Sequence, residues 1–334
     1  MGKVVTLGEI MLRLSTTDGI RISQTKSFQA HYGGGEANVA VSLANYGHEV
    51  YFASKIPEAN NLSESVKRHL QSYGVSTKYL LQGGPRLGTY YLEAGTGERG
   101  ASVIYDRAYS SFSLMAEDEW NSAKIFKDVD IFHVSGITPA LSHRWRKLIL
   151  DLIQSAKAAG CKISFDINYR GKLWTQAEAS ETIKKILPFV DYCSAGKLDA
   201  IYLLGISEYN ESDELICYYQ EIQKIYPSIQ VLYSTKREVI SASANDLTGF
   251  LWMGQQLFQS KTHHIDPIVD RVGSGDAFSG GVLHGLLEGM TPQKIIDFGT
   301  AAAALKHTVE GDCNQFSVSE VENFLKASSG KIIR

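Results

Sequence analysis

The sequence predicts an α/β fold: a parallel twisted sheet with helices on both faces, and a small β-sheet standing off it as a lid. Three observations lead there. From Asp130 onward, short apolar runs alternate with helical segments, the rhythm of a parallel sheet covered on both sides. Before that point, two stretches at about 11–31 and 87–112 read as exposed β-structure broken by polar turns. The 334 residues have an ordinary globular mix, 44% hydrophobic and 21% charged, with no fixed-period repeat. All of 1–334 is expected to form one domain, in which the two β-stretches pair in space although they are far apart in the chain.

Each element follows from local pattern. Residues 3–7 form a first buried strand that ends at Gly8-Glu9. Gly33-Gly34-Gly35 leads into a helix over 36–46, with Ala37, Ala40, Val41 and Ala44 on one face and Gly47 closing it. Asn38 falls in its first turn, and three preceding glycines favour a ligand role for it. A strand over 50–55 and a helix over 62–73, stopped by Gly74, come next. The β-runs 87–93 and 101–106 flank the turn Gly95-Thr96-Gly97-Glu98 and bring Tyr90, Tyr91, Tyr105 and Arg107 onto one hairpin. Strands at 131–134, 162–165, 190–194 and 231–234 then alternate with helices at 145–159, 182–187 and 199–204. Ligands of such sheets bind past the carboxyl ends of the strands, where Gly136, Asp166, Asn168, Arg170 and Ser194 fall.

One stretch organises the rest: Asp270-Arg271-Val272-Gly273-Ser274-Gly275-Asp276-Ala277-Phe278. Gly273 and Gly275 allow a tight turn and put no Cβ between the amides and a ligand. The helix that follows begins with unpaired N–H donors and partial positive charge, which suits a phosphate. Asp276 stands in the mouth of that anion site. A carboxylate placed there can accept the proton of a hydroxyl that attacks the phosphate. Gly280 and Gly281 cost the same helix about 1 kcal/mol each relative to alanine, which close helix packing or close ligand approach would explain. Gly289 ends it, Thr291-Pro292 starts the next helix, and Ala301-Ala302-Ala303-Ala304 gives that helix a smooth face.

Several classes are excluded. A net charge of −3 provides no general footprint for nucleic acid. Cys161, Cys193, Cys217 and Cys313 form no CxxC pair, which argues against a metal cage or disulfide framework and fits a reducing, cytoplasmic setting. No apolar run approaches the ~20 residues of a membrane span. No GxGxxG follows the first strand, so dinucleotide-dependent oxidoreduction is set aside.

Gly33-Gly34 with Asn38-Val39-Ala40 resembles the N-terminal signature of ribokinase-like (PfkB) carbohydrate kinases, and Asp270 to Phe278 resembles their C-terminal signature. The resemblance covers essentially the whole chain. It implies a ribokinase-like fold, ATP and Mg²⁺ as cofactors, and a small-molecule sugar as the other partner. Within that family the chain looks most like 2-keto-3-deoxygluconate kinases. The similar stretches are Gly88-Thr89-Tyr90-Tyr91, Tyr105-Asp106-Arg107-Ala108, His133-Val134-Ser135-Gly136-Ile137, Asp166-Ile167-Asn168-Tyr169-Arg170 and Lys306 to Asp312.

The resemblance implies roles residue by residue. Asp276 is the catalytic base, and the amides of Gly273, Ser274 and Gly275 form the anion hole. Tyr90, Tyr105, Arg107 and Arg170 surround an acid sugar, with Gly34, Asn38 and Ile137 lining its pocket. Two guanidinium groups suit a carboxylate, which they can bind in bidentate fashion. Ser194, Asp199, Thr235, Lys236, Gly311 and Asn314 fall at ATP, and the helical residues 301–307 flank the adenine. Mg²⁺ is held mainly through ATP phosphates and water, with no protein metal site. The family's N-x-x-E reads Gly196-Lys197-Leu198-Asp199 here, and T-x-G reads Thr235-Lys236-Arg237, so the nucleotide side departs from the usual pattern. The expected reaction is ATP-dependent phosphorylation of the terminal hydroxyl of 2-keto-3-deoxygluconate. The alternatives are a fructokinase, ribokinase or nucleoside kinase specificity on the same fold, or a non-catalytic sugar-binding regulator, against which an intact Asp276 argues. An exposed lid edge invites a homo-oligomer.

Overall fold

In the computed structural model, residues 1–209 and 214–326 are described. The chain runs β1 (Lys3–Leu7), β2 (Met11–Ser15), β3 (Gln29–Gly33), α1 (Gly35–Asn45), β4 (Glu49–Ile56), α2 (Asn61–Ser72), β5 (Leu80–Gln82), β6 (Gly88–Glu93), β7 (Ser102–Asp106), α3 (Ser122–Ile125), β8 (Ile131–Ser135), α4 (Ile137–Ala140), α5 (His143–Ala158), β9 (Lys162–Asp166) and α6 (Gln176–Ile186). It continues through β10 (Tyr192–Ser194), α7 (Lys197–Asp199), α8 (Glu214–Ile225), β11 (Val231–Ser241), β12 (Ala244–Met253), β13 (Gln256–Gln259), β14 (His263–Ile265), α9 (Ser274–Leu287), α10 (Pro292–Lys306) and α11 (Val318–Lys326).

Two sheets result. The large one has the order β13-β12-β11-β10-β9-β8-β1-β4-β5, with β14 on β12. From β11 to β5 all neighbours are parallel. Alternation along its strands sorts the core into two layers. Val5 and Leu7 of β1 and Phe132 and Val134 of β8 pack with Trp145, Ile149 and Ile183 of α5 and α6. Val4 and Ile131, of opposite orientation, pack with Val39, Leu43 and Val66 of α1 and α2. Burying each such side chain stabilises the fold by roughly 1.5–3 kcal/mol before entropy is charged against it.

The small sheet has the order β3-β2-β6-β7, so the segments expected to pair across the chain do so. Within 11–31 and 87–112 only part of the backbone is strand. The inner residues of β2 are also far from exposed: Arg13 and Ser15 are each 3% accessible. The stretch reads as exposed because most of its buried side chains, Arg13, Ser15 and Thr16, are polar.

Three further expectations are corrected. The chain after 130 is not parallel throughout, because β11 continues past the apolar run to Ser241 and turns back antiparallel along β12. Its second half, 235–241, is largely exposed, and its two apolar residues, Val239 and Ile240, are exposed as well, so it carries no signal of a buried strand. Helix α6 begins at Gln176 and not at 182, because Thr175 and Glu178 form a capping box. Residues 200–204 widen into a π turn ending at Gly205, whose φ of +77° suits glycine.

Helix α9 packs closely on α1 and α10 at its two glycines. A Cβ on Gly280 would lie 2.5 Å from Ser42 Cβ of α1, and one on Gly281 would lie 2.7 Å from the Gly299 Cα of α10. That contact accounts for the two costly glycines. The smooth face at 301–304 is likewise used internally: Ala301 and Ala302 pack with Tyr46, Phe298 and Val321, and Ala303 and Ala304 join the cluster around Phe278. These alanines are at most 3% exposed, so they offer no open face to an adenine ring.

Candidate active site

The carboxyl ends of the parallel strands, the small sheet and the start of α9 enclose a cleft of about 1530 Å³. Two glycine turns form its floor. Gly34 is extended, and a Cβ there would lie 2.0 Å from the Glu9 carbonyl oxygen. Gly273 has φ +80°, and a Cβ there would lie 1.8 Å from the Asp312 carbonyl oxygen. Gly273 is therefore the left-handed residue of the anion turn. Gly275 already lies in the first turn of α9, and a Cβ on it would meet nothing within 4 Å. The open space in front of Gly275 lies where a helix start presents free N–H donors.

Asp276 sits one residue further on and lines the cleft. The Asn38 amide nitrogen donates to its Oδ2 at 2.7 Å. Burial pushes the Asp276 carboxyl up to about 7; the Asn38 hydrogen bond works against this, and the charge of Asp166 adds to it. A carboxyl with that pKa exchanges protons near neutrality, which is what a general base requires. Asn38 thus serves the acid, and its Oδ1 in turn accepts from Gly34 N at 3.3 Å. Other carboxyls share the cleft. Burial raises Asp166 to about 6, and burial also raises Asp199 and Glu36. Glu36 Oε1 accepts from the Ser135 amide and hydroxyl, and Asp199 Oδ2 accepts from Gly196 N at 2.8 Å. Acids raised by burial in this way invite a cation or protons. Asp166 and Asp199 supply the hard oxygen donors Mg²⁺ prefers, through water as well as directly. Among the described residues, the one group of three metal-ligating side chains, His48, His284 and Glu288, lies outside the cleft.

On the lid side, Tyr90, Tyr105 and Arg107 line the cleft together with Gly34 and Ile137. Arg107 is not available as a free cation: Nε and Nη2 both donate to Glu9 Oε2, in an ion pair buried on both sides. Sequence reading did not single out Glu9, although Gly8-Glu9 closes the first strand at its carboxyl end. Its Oε1 is buried with no hydrogen-bond partner. Tyr90 donates to Asp312 Oδ2. Arg170 is exposed at the rim and forms no ion pair among the described residues, while its charge is felt by both Asp166 and Asp276.

On the other side, Ser194, Asp199 and Thr235 line the cleft. Three residues expected beside them do not. Lys236 points outward on β11 to Glu238 at 2.7 Å, because strand alternation sends Thr235 and Arg237 inward instead. Arg237 Nη2 donates to Ser274 Oγ at 2.9 Å. Burial and the nearby Arg271 lower the Arg237 pKa, so two cations press on the anion turn. Gly311 lies outside the cleft and its amide donates to Asp270 Oδ2 at 3.1 Å. Asn314 is 1% exposed, and its Nδ2 donates to the Tyr46 hydroxyl at 3.0 Å, so it is committed to the core.

The profile of the pfkB family of carbohydrate kinases matches residues 1–318. A 2-dehydro-3-deoxygalactonokinase of Haloferax volcanii is 33% identical over 332 residues, covering 99% of each chain. A 2-dehydro-3-deoxygluconokinase of known structure from Thermotoga maritima is 39% identical, with TM-score 0.94 over 98% of this chain and all of that one. A PfkB family carbohydrate kinase structure from Listeria grayi is 45% identical, also with TM-score 0.94, over 97% of this chain and all of that one.

Proposed function

The chain belongs to the pfkB family of carbohydrate kinases, and from that premise we propose that it transfers the γ-phosphoryl group of ATP to the terminal hydroxyl of 2-keto-3-deoxygluconate. The product is 2-keto-3-deoxy-6-phosphogluconate. The observation behind the choice of an acid sugar is Arg170, a rim guanidinium that forms no ion pair among the described residues, in a cleft whose lid arginine Arg107 is neutralised by Glu9. An unpaired guanidinium is suited to bidentate carboxylate recognition. The names borne by the relatives, a keto-deoxy-galactonate kinase and a keto-deoxy-gluconate kinase, point the same way.

In this reading the sugar lies between the small sheet and the Gly34 turn, and Glu9 Oε1 accepts one of its hydroxyls. Tyr90 and Tyr105 flank it. The terminal hydroxyl faces Asp276, which takes its proton as the oxygen–phosphorus bond forms and the bond to ADP breaks. The amides of Gly273, Ser274, Gly275 and Asp276 stabilise charge on the transferred group. Arg237 and Arg271 receive the phosphates from the other side, and Ser194, Asp199 and Thr235 border the nucleotide. Mg²⁺ supplies charge neutralisation on the phosphates, and Asp166 and Asp199 would hold it. The β7 edge, with Ile104 and Tyr105 exposed, pairs two copies.

A coupled ATPase assay over ribose, fructose, adenosine, gluconate, 2-keto-3-deoxygluconate and 2-keto-3-deoxygalactonate tests the proposal. The keto-deoxy acids are expected to give the highest kcat/KM. Preference for ribose or fructose would overturn the substrate assignment, and preference for the galactonate epimer would correct it at one carbon.

A further inference from the structure

The proposed reaction leaves a buried cluster of charge behind the anion turn unexplained. Arg13 lies mid-strand on β2 and is 3% exposed. Its Nη2 meets Asp270 Oδ2 at 2.6 Å, its Nη1 donates to Asp312 Oδ1 at 2.9 Å, and its Nε donates to Ser15 Oγ at 2.6 Å. The Tyr90 hydroxyl occupies the other Asp312 oxygen. Burial works to discharge Arg13, yet Asp270 and Asp312 outweigh it and hold the guanidinium firmly charged. Lys306, fully buried, donates to the Val309 carbonyl at 3.3 Å beside the same two carboxylates. Buried ion pairs are a poor means to stability, since apolar packing does as well or better.

The two carboxylates touch both glycine turns. Asp270 Oδ1 accepts from Val272 N at 3.0 Å, inside the anion turn, and Oδ2 accepts from Gly311 N at 3.1 Å. The Asp312 carbonyl fills the place of a Gly273 side chain, and its carboxylate fills that of Gly33, 2.3 Å from where a Cβ would be. Arg13 reaches both acids from the small sheet. Its strand pairs directly with β6, which carries Tyr90, and β6 pairs with β7, which carries Tyr105.

We propose that Arg13 is a positioning residue that couples the lid to the anion turn, so that a sugar bound under the small sheet tightens the binding of ATP phosphates at Gly273–Asp276, and the reverse. Arg13 contacts neither ligand; it fixes the two acids that shape both turns. A planar guanidinium with several donors can hold two carboxylates at once, and an ammonium cannot hold them in the same geometry. Coupling through such a link is reciprocal by thermodynamic necessity. The proposal rests on the kinase reading above but not on which sugar is phosphorylated.

The test is calorimetry of a non-hydrolysable ATP analogue, with and without the sugar that the substrate panel shows to be turned over best, on the parent and on Arg13→Lys. In the parent, the sugar should tighten the analogue about five-fold or more. In Arg13→Lys the factor should fall within about two-fold of unity and kcat should drop at least about ten-fold, with the melting temperature within a few degrees. Asp312→Asn, which keeps the side-chain shape, is read in the same way should Arg13→Lys fail to fold. Absence of coupling in the parent overturns the proposal. So does a variant that melts lower yet keeps both coupling and kcat, since that is a structural role alone. A parent that prefers a neutral sugar defeats the substrate assignment and leaves this measurement intact.

Discussion

Replacing Asn38 with alanine should move the pH dependence of the reaction by an amount the geometry sets. The Asn38 amide donates to Asp276 Oδ2 at 2.7 Å, and burial has already raised that carboxyl to about 7. A hydrogen bond to a charged group is worth about 1.5–3 kcal/mol, and one pKa unit corresponds to about 1.4 kcal/mol, so its loss should raise Asp276 by roughly 1–2 units. Only the ionised carboxylate can accept the substrate proton, so activity rises with pH through this pKa. At pH 7 the ionised fraction should fall from about one half to between about a tenth and a hundredth, lowering kcat/KM roughly 5- to 50-fold. Most of the loss should be recovered near pH 10. The assay is kcat/KM for the sugar between about pH 5.5 and 10 at constant ionic strength, for parent and variant. Circular dichroism at each pH controls for folding, because the Asn38 Oδ1 also accepts from Gly34 N and Cys313 Sγ. An acidic limb that stays in place while activity falls equally at every pH would refute the reasoning, leaving Asn38 as a packing residue or a direct sugar contact.

Further outcomes follow from the same site. Asp276→Asn should lower kcat by about 10²–10⁴. It should also melt higher than the parent at pH 8, because a carboxyl raised from 3.8 to about 7 on folding costs stability as pH rises through that window; equal melting temperatures at pH 8 would refute the raised pKa. Arg170→Ala should raise KM for a keto-deoxy acid by roughly 10- to 150-fold and leave KM for ATP nearly unchanged; equal losses for acid and neutral sugars would assign Arg170 to stability. Gly275→Val should fold normally, since its Cβ meets nothing, and should lose turnover because the side chain fills the phosphate's place; normal turnover would remove the turn from the reaction.

The sequence was most informative where backbone conformation and chemistry coincide. Gly273, Gly275 and Asp276 declare a turn, a helix start and an acid in one stretch, and the turn, helix and acid are found there. The alternating elements around β8 and β9 were equally legible, because buried strands must be apolar on both faces. What escaped reading was paired polarity. Arg13, Glu9 and Asp312 look like surface residues in one dimension, and only the folded chain brings Arg13 to Asp312 and Glu9 to Arg107. Lys236 and Arg237 are adjacent in sequence, and strand alternation alone decides which one enters the cleft. Asn314 was misplaced because a side chain next to a functional turn gives no sign of its direction; it turns inward to Tyr46.

The close contact of α9 with α1 and α10 bears on how such a molecule can acquire new preferences. Gly280 packs against the Ser42 side chain of α1 and Gly281 against the Gly299 backbone of α10, so even one added methyl group there forces a shift in the helix that bears Asp276 or in its neighbours. The helix that carries Asp276 therefore tolerates little added volume at these two positions. The small sheet meets the rest through side chains, among them Arg13 on Asp270 and Asp312 and Arg107 on Glu9. Diversification toward other sugars is thus channelled into one module, and a transplanted lid should bring its preference with it only when its ion-pair partners travel too.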